Sequence, residues 1–156
     1  HPPLQHTALH TEIAQSSPCV LALPKQHPLT SKEAITIEDL RDEPIITVAK
    51  EAWPTLYVDF IQFCEQAGFK PNIVQEATEY QMVIGLVSAG IGITFVPSSA
   101  KKLFNLDVTY RTIDKIQLNA EWVIAYRKDN QNPLLKQFIN ISNCQQLRTK
   151  ESDAST

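Results

Sequence analysis

The chain has 156 residues, of which 43% are hydrophobic and 20% charged, so it can bury one ordinary core and its composition excludes intrinsic disorder. The formal net charge is −3 and the longest basic runs are only pairs, which gives nucleic acid no electrostatic footprint on this segment. No apolar stretch approaches the roughly 18 residues that span a bilayer, and the start has no signal-peptide pattern, so we expect a cytoplasmic protein. Because the first residue is not methionine, we also expect a piece of a longer chain.

The cysteines and histidines do not form a metal-binding pattern. The three cysteines, Cys19, Cys64 and Cys144, are widely spaced and are expected to be free thiols in a reducing compartment. The four histidines lie within the first 27 residues, and His6 and His10 would share a face in a helix or a strand. No cysteine or acidic cluster accompanies them, so surface histidines are favoured over a zinc site.

The first elements in chain order are extended. Polar and apolar residues mix without helical spacing over residues 4–14, and an apolar run over residues 19–23 follows Pro18 and ends at Pro24, which predicts two strands. Thr36 with Asp39 has the spacing of a helix cap and predicts a short helix that Pro44 ends.

Strands and helices then alternate. A buried strand is predicted at residues 45–48, and Pro54 is placed for the first turn of a helix that Gly68 ends. The inward face of that helix is formed by Leu56, Phe60, Cys64 and Ala67.

A strand at residues 72–75 is followed by Thr78 and Gln81, which have the spacing of a capping box. Gly90 is expected to end this second helix in a left-handed turn before a strand at residues 93–96. The apolar face of the second helix comprises Met82, Val83, Leu86 and Val87.

The last elements are a short helix capped by Ser98 or Ser99, strands at residues 108–113 and 121–127, and a closing helix that begins at Asn132-Pro133. We expect three side chains of the closing helix to face inward, namely Leu135, Phe138 and Ile139. Strands separated by helices of this length indicate parallel pairing, so residues 24–119 predict a doubly wound α/β layer.

Ligands of open α/β sheets bind beyond the carboxyl ends of the strands, where helices begin. Three such junctions are expected, at residues 47–50, 76–78 and 97–99, and their amides and hydroxyls suit a small organic anion. Simpler interpretations stay open, because Thr78 can be only a helix cap, Lys50 a solvated surface charge, and Glu76 an ordinary surface residue.

Two enzyme-like patterns are absent. Gly90-Ile91-Gly92 ends a helix and enters a strand, whereas a dinucleotide loop follows a strand and opens a helix, so no cofactor is expected. No G-x-S-x-G motif or recognisable catalytic cysteine is present, and we therefore expect no catalytic site.

Three motifs together resemble LysR-type transcriptional regulators, over residues 1–146. Residues 86–97, LVSAGIGITFVP, resemble the family's helix, G-x-G turn and proline-ended strand. Residues 21–29, LALPKQHPL, resemble its LPxxHPL crossover, and residues 40–46, LRDEPII, its L-x-x-E-P entry to the second lobe. His1-Pro2-Pro3 further resembles the hinge of the aromatic-degradation branch, which often senses benzoate- or muconate-like acids.

The resemblance implies a bilobed α/β fold like that of type 2 periplasmic binding proteins, with Rossmann-like lobes and the first part of lobe I missing. Residues 1–16 and 123–146 would form the partial lobe I, residues 17–122 lobe II, and residues 147–156 a polar tail. His1 falls where some relatives place an arginine near the ligand. The implied ligand-binding residues are His1, Thr47, Val48, Ala49, Glu76, Thr78, Phe95 and Pro97.

The implied function is sensing of a small organic acid effector, a carboxylate or an aromatic acid, without catalysis, cofactor or metal. The full-length protein would bind DNA through a preceding helix-turn-helix domain, contact RNA polymerase and form a homodimer or homotetramer, paired through helices such as residues 53–67. It would have no membrane partner. Two rivals remain open, a periplasmic solute-binding protein of a transporter and an enzyme or regulatory domain of amino-acid metabolism with the same fold.

Overall fold

The computed structural model describes residues 8–102 and 107–141, with only the backbone at residue 102. Its strands are β1 (Leu9–Pro24), β2 (Pro44–Val48), β3 (Asn72–Ala77), β4 (Thr94–Pro97), β5 (Val108–Arg111) and β6 (Asn119–Arg127). Its helices are α1 (Pro54–Gln66), α2 (Tyr80–Ser88) and α3, which occupies residues 133–141. Short 3-10 helices span Pro28–Ser31, Ile37–Leu40 and Ser98–Lys102.

The chain divides into two units, a larger one of residues 17–120 and a smaller one formed by residues 1–16 and 121–156. The division falls within β1 and within β6, so the chain passes twice between the units in an extended conformation.

The sheet of the larger unit is mixed rather than wholly parallel. Strand β2 pairs with β3 in parallel, and a parallel bridge between Ile45 and Ile93 joins β2 to the start of β4. Strand β1 pairs antiparallel with both β4 and β5. The parallel pairing predicted within residues 24–119 therefore holds for β2, β3 and β4, but not for β5, which pairs antiparallel with β1.

Hydrophobic side chains cover both faces of this sheet, because successive residues of a strand point to opposite sides. On one face, Leu21 and Ile45 pack in a cluster with α1. On the other face, Val20 and Ile46 pack in a cluster with α2. The fully buried side chains Leu21, Leu23, Ile45, Ile46, Ile84 and Ile93 lie between these layers, and each contributes about 1.5–3 kcal/mol by leaving water.

The two strands predicted at the start are one continuous strand, β1, so the predicted break is wrong. Proline is tolerated in a strand where its missing N–H breaks no ladder hydrogen bond. The pairing of β1 with β4 begins at Cys19, one residue after Pro18, so Pro18 removes no hydrogen bond from that pair.

Helix α2 begins later than predicted. Its N-cap residue is Glu79, whose side chain makes no capping hydrogen bond, so the capping box predicted for Thr78 and Gln81 is wrong. Met82, predicted to face inward, is 58% exposed. The buried residues of α2 are Val83, Ile84 and Val87.

Both main helices end in a Schellman motif with glycine in the left-handed conformation. In α2, Gly90 has φ +77°, its N–H donates to the Val87 carbonyl, and the Ile91 N–H donates to the Leu86 carbonyl. Gly68 ends α1 in the same way, with φ +78°. Both glycine stops are confirmed.

In the smaller unit the Lys128 N–H donates to the Ala8 carbonyl at 3.0 Å. Asn132 caps α3, since its side-chain oxygen accepts from the Leu134 N–H at 3.0 Å. Phe138, predicted to face inward, is 56% exposed. The predictions for His1, His6, Cys144 and the polar tail lie outside the described residues.

Candidate ligand site at the carboxyl rim of the sheet

Three parallel strands end at one edge of the larger unit's sheet. In the register of β2 and β3, Thr47 pairs with Glu76 and Val48 with Ala77, and the Ala49 N–H donates to the Ala77 carbonyl at 2.8 Å. Strand β4 runs in the same direction beside β2. We name the ends of these strands, residues 47–49, 76–78 and 95–98, the carboxyl rim.

A small cavity opens beside the carboxyl rim, on the face covered by α1. Thr47, Val48 and Phe95 line it together with Ile45, Trp53, Leu56, Tyr57, Phe60 and Thr94. Its volume of about 20 Å³ holds one water molecule but no organic acid. The ring centroids of Phe60 and Phe95, which both line the cavity, lie 5.0 Å apart.

The structure brings most of the predicted ligand residues to this one edge. Strand pairing places Thr47, Val48, Ala49 and Glu76 there, and Phe95 and Pro97 form the end of β4. Thr78 follows β3 as an exposed residue, and His1 lies outside the described residues. That these residues contact a ligand stays a prediction.

Their environments differ. Val48, Phe95 and Pro97 are buried, Thr47 and Ala49 are half-buried, and Glu76 is exposed. Lys50, two residues after the end of β2, is also exposed. The carboxyl rim therefore offers an apolar floor with a polar margin that carries both signs of charge.

Helices α1 and α2 both begin beside the carboxyl rim. The first amides of a helix have no partner within it and carry the positive end of its dipole. Helix α1 begins with Pro54, which has no N–H, so this residue contributes no donor. At the start of α2, the Glu79 side chain does not cap the helix. These two helix starts are the groups of the rim that suit a negative charge.

An aromatic pair that the sequence reasoning missed joins the two helix starts. The rings of Trp53 and Tyr80 lie 5.1 Å apart, and Trp53 packs against the hydrophobic clusters on both faces of the sheet. Burial raises the pKa of Tyr80, and its hydroxyl is buried with no hydrogen-bond partner among the residues that the structure describes. An aromatic residue at each helix start was the signal available in the sequence.

The described cysteines are not poised for chemistry. Burial raises the pKa of Cys19 to about 12, against a smaller opposing effect of a backbone hydrogen bond at Ala120. Burial and the nearby Glu65 raise the pKa of Cys64 to about 12. A neutral thiol is neither a nucleophile nor a metal ligand. Within residues 8–102 and 107–141, no group of three or more Cys, His, Asp or Glu side chains could hold a metal ion.

None of the helices in the described part of the chain has the length and apolar character needed to cross a bilayer.

Comparison with known proteins identifies relatives over nearly the whole chain. Residues 1–145 match the family model described as LysR substrate binding domain. The chain is 90% identical over 156 residues to the HTH-type transcriptional regulator AlsR of Bacillus subtilis strain 168, covering 100% of this chain and 52% of AlsR. It thus spans about half the length of that relative.

Solved structures show the same fold. The effector-binding domain of BenM with its effector benzoate has a TM-score of 0.77 at 21% identity, covering 96% of this chain and 67% of that one. Full-length CbnR in complex with its target DNA has a TM-score of 0.74 at 19% identity, covering 87% of this chain and 47% of that one. The predicted α/β fold of the type 2 periplasmic-binding-protein kind is confirmed.

Proposed function

The chain belongs to the family of LysR substrate-binding domains, and from this premise we propose that it senses a small carboxylate for a DNA-binding transcriptional regulator. One observation carries the proposal: three parallel strands and two helix starts converge at the carboxyl rim. Main-chain N–H groups and helix dipoles are the usual protein partners of a small anion. The proposal includes no catalytic step, in keeping with relatives that are regulators.

The effector would bind with its carboxylate toward the helix starts and its carbon skeleton toward Phe95 and Trp53. Because the cavity beside the carboxyl rim holds only about one water molecule, the proposal requires further residues of the full-length protein to complete the site. Sites for organic ligands usually measure about 300–1,000 Å³. The chain spans about half the length of AlsR, so we propose that parts of the full-length regulator outside the larger unit supply those residues, and that His1 lies near the ligand.

The sensing mechanism would be a shift between two lobe arrangements. An effector changes such an equilibrium only by its difference in affinity for the two states. In the full-length protein, a homodimer or homotetramer in the cytoplasm, this shift would alter the spacing of the DNA-binding domains and the contact with RNA polymerase.

The narrower placement among benzoate and muconate regulators has no support, because AlsR is not a regulator of that kind. An aromatic acid is therefore one candidate among several. A periplasmic solute-binding protein is not favoured either, since the relatives that match are transcriptional regulators.

Thermal shift of the full-length regulator with monocarboxylic, dicarboxylic and aromatic acids tests the proposal. A ligand at a hundred times its Kd stabilises the native state by about 2.7 kcal/mol, so a true effector raises Tm by several degrees. The amides of the same acids serve as controls, because they keep the shape and lose the charge. A shift with the amides but with none of the acids would contradict a carboxylate site.

A further inference from the structure

Two serine hydroxyls from distant parts of the chain meet beside the carboxyl rim. The Oγ atoms of Ser17 and Ser98 lie 3.2 Å apart and are separated by 81 positions in sequence. Ser17 is only 5% exposed, although serine is usually a surface residue. The strand register explains the meeting, because Cys19 of β1 is the Cα partner of Pro97 of β4.

The two serines occupy different functional positions within the larger unit. Ser98 directly follows Pro97, at the end of β4, and therefore belongs to the carboxyl rim. Ser17 is the first residue of the unit, at the point where β1 enters it. Two residues further on, the Cys19 N–H donates to the Leu118 carbonyl at 2.7 Å, directly before β6 begins. The serine pair thus links the rim to the place where the chain passes between the units.

Hydroxyl chemistry gives this link a direction. A serine hydroxyl donates one hydrogen bond and accepts others, and either Ser17 or Ser98 can be the donor in this pair. A carboxylate only accepts, so a carboxylate at the rim would accept a hydrogen bond from the Ser98 hydroxyl. Ser98 would then accept from Ser17, and hydrogen bonds that are chained in this way strengthen one another.

We propose that Ser98 is an effector-contacting residue and that Ser17, through its hydroxyl pair with Ser98, is the positioning residue that couples the carboxyl rim to the strand crossing at residues 16 and 17. The carboxylate part of this inference rests on the proposed function. The coupling part rests on the serine pair and its place in the fold alone.

Hydrogen exchange of the full-length regulator without added acid tests the coupling. We expect Ser17→Ala and Ser98→Ala each to raise exchange at the amides of residues 19–22 about five-fold, which corresponds to the loss of one hydrogen bond. The double variant should exchange no faster than either single variant, because both substitutions remove the same bond. Ser99→Ala, at the exposed neighbouring serine, is the matched control and should leave exchange unchanged. Additive effects, or no effect of Ser98→Ala at the β1 amides, would overturn the coupling.

Titration with propionate, succinate and benzoate tests the contact. Ser98→Ala and Ser17→Ala should both weaken binding of the acid that the wild type binds, by about five-fold, whereas Ser17→Thr keeps a hydroxyl and should restore it. Wild-type affinity in Ser17→Ala would overturn the relay and leave the proposed function intact. Failure of the wild type to bind any acid would overturn the carboxylate assignment together with the proposed function, while the exchange result still decides the coupling.

Discussion

Gly92 lies so close to Pro44 that a Cβ atom on the glycine would come within 2.4 Å of the Pro44 carbonyl oxygen. This approach lets the Ile93 N–H donate to the same carbonyl at 2.8 Å. The contact therefore sets the distance between β2 and β4, and with it the positions of Thr47 and Phe95 at the carboxyl rim.

Gly92→Ala should lower the free energy of unfolding by about 2–4 kcal/mol, because the methyl group can be accommodated only if the two strands separate. Urea unfolding monitored by circular dichroism measures the loss. Gly85→Ala is the control, since nothing lies within 4 Å of its Cβ position in α2, and it should stabilise the helix by up to about 1 kcal/mol. Equal stability of the two variants would disprove the steric account.

His27 connects the crossover after β1 with the entry to β2. Its Nδ1 accepts from the Leu29 N–H at 3.3 Å, so its Nε2 carries the proton and donates to Glu43 at 3.2 Å. Asparagine is a good N-cap acceptor but cannot reach Glu43. We expect His27→Asn to cost about 1 kcal/mol of stability and His27→Ala about 2 kcal/mol. If the two variants lose the same amount of stability, the hydrogen bond from the Leu29 N–H to the side chain at position 27 does not stabilise the fold.

Asp39 gives the fold one source of pH dependence. Two hydrogen bonds lower the pKa of this carboxyl below its ordinary value. The bond from Lys32 has the larger effect, and the bond from the backbone N–H of Thr36 has the next largest. A carboxyl with a lowered folded-state pKa contributes stability above its unfolded pKa of about 3.9, and that stability is lost as pH falls through the folded pKa. Asp39→Asn should therefore cost about 1–2 kcal/mol at pH 7 and much less at pH 2. Unfolding titrations at the two pH values compare the variant with wild type, and a constant difference would contradict this linkage.

Cys19 and Cys64 should resist alkylation in the folded protein. With each pKa at about 12, only ~1 in 10,000 of these thiols is ionised at pH 8, and the thiolate is the reactive form. Iodoacetamide labelling followed by peptide mass spectrometry should modify both residues slowly in buffer and rapidly in urea. Rapid labelling of Cys19 in buffer would contradict the burial that raises the pKa of its thiol.

A substitution at Thr47 tests directly whether the carboxyl rim binds the effector. Replacing it with valine keeps the shape of the side chain and removes the hydroxyl, so acid binding should weaken about ten-fold if the hydroxyl contacts the effector. Thr112→Val, at an exposed threonine that follows β5, is the matched control. Isothermal titration with the acid identified by thermal shift measures both variants, and equal affinity in both would remove Thr47 from the site.

Short-range signals in the sequence predicted the element types well. Pro54 starts α1, Gly68 and Gly90 end the two main helices, and the apolar run before Pro24 is a buried strand. Each of these features depends on backbone geometry or on a repeat of two to four residues, which the sequence displays locally. The motifs around Pro44 and Gly90 also identified the family correctly.

Tertiary structure decided what depends on residues far apart in the chain. The antiparallel pairing of β1 with β4 and β5, the exposure of Met82 and the Trp53–Tyr80 contact follow from how the layers pack, and no local pattern encodes that packing. The meeting of Ser17 with Ser98 is of the same kind, because a serine that ends a strand looks the same in sequence whether it is solvated or paired. The sequence alone therefore determined the elements and the family, whereas the burial of side chains against distant partners determined the strand order and the composition of the carboxyl rim.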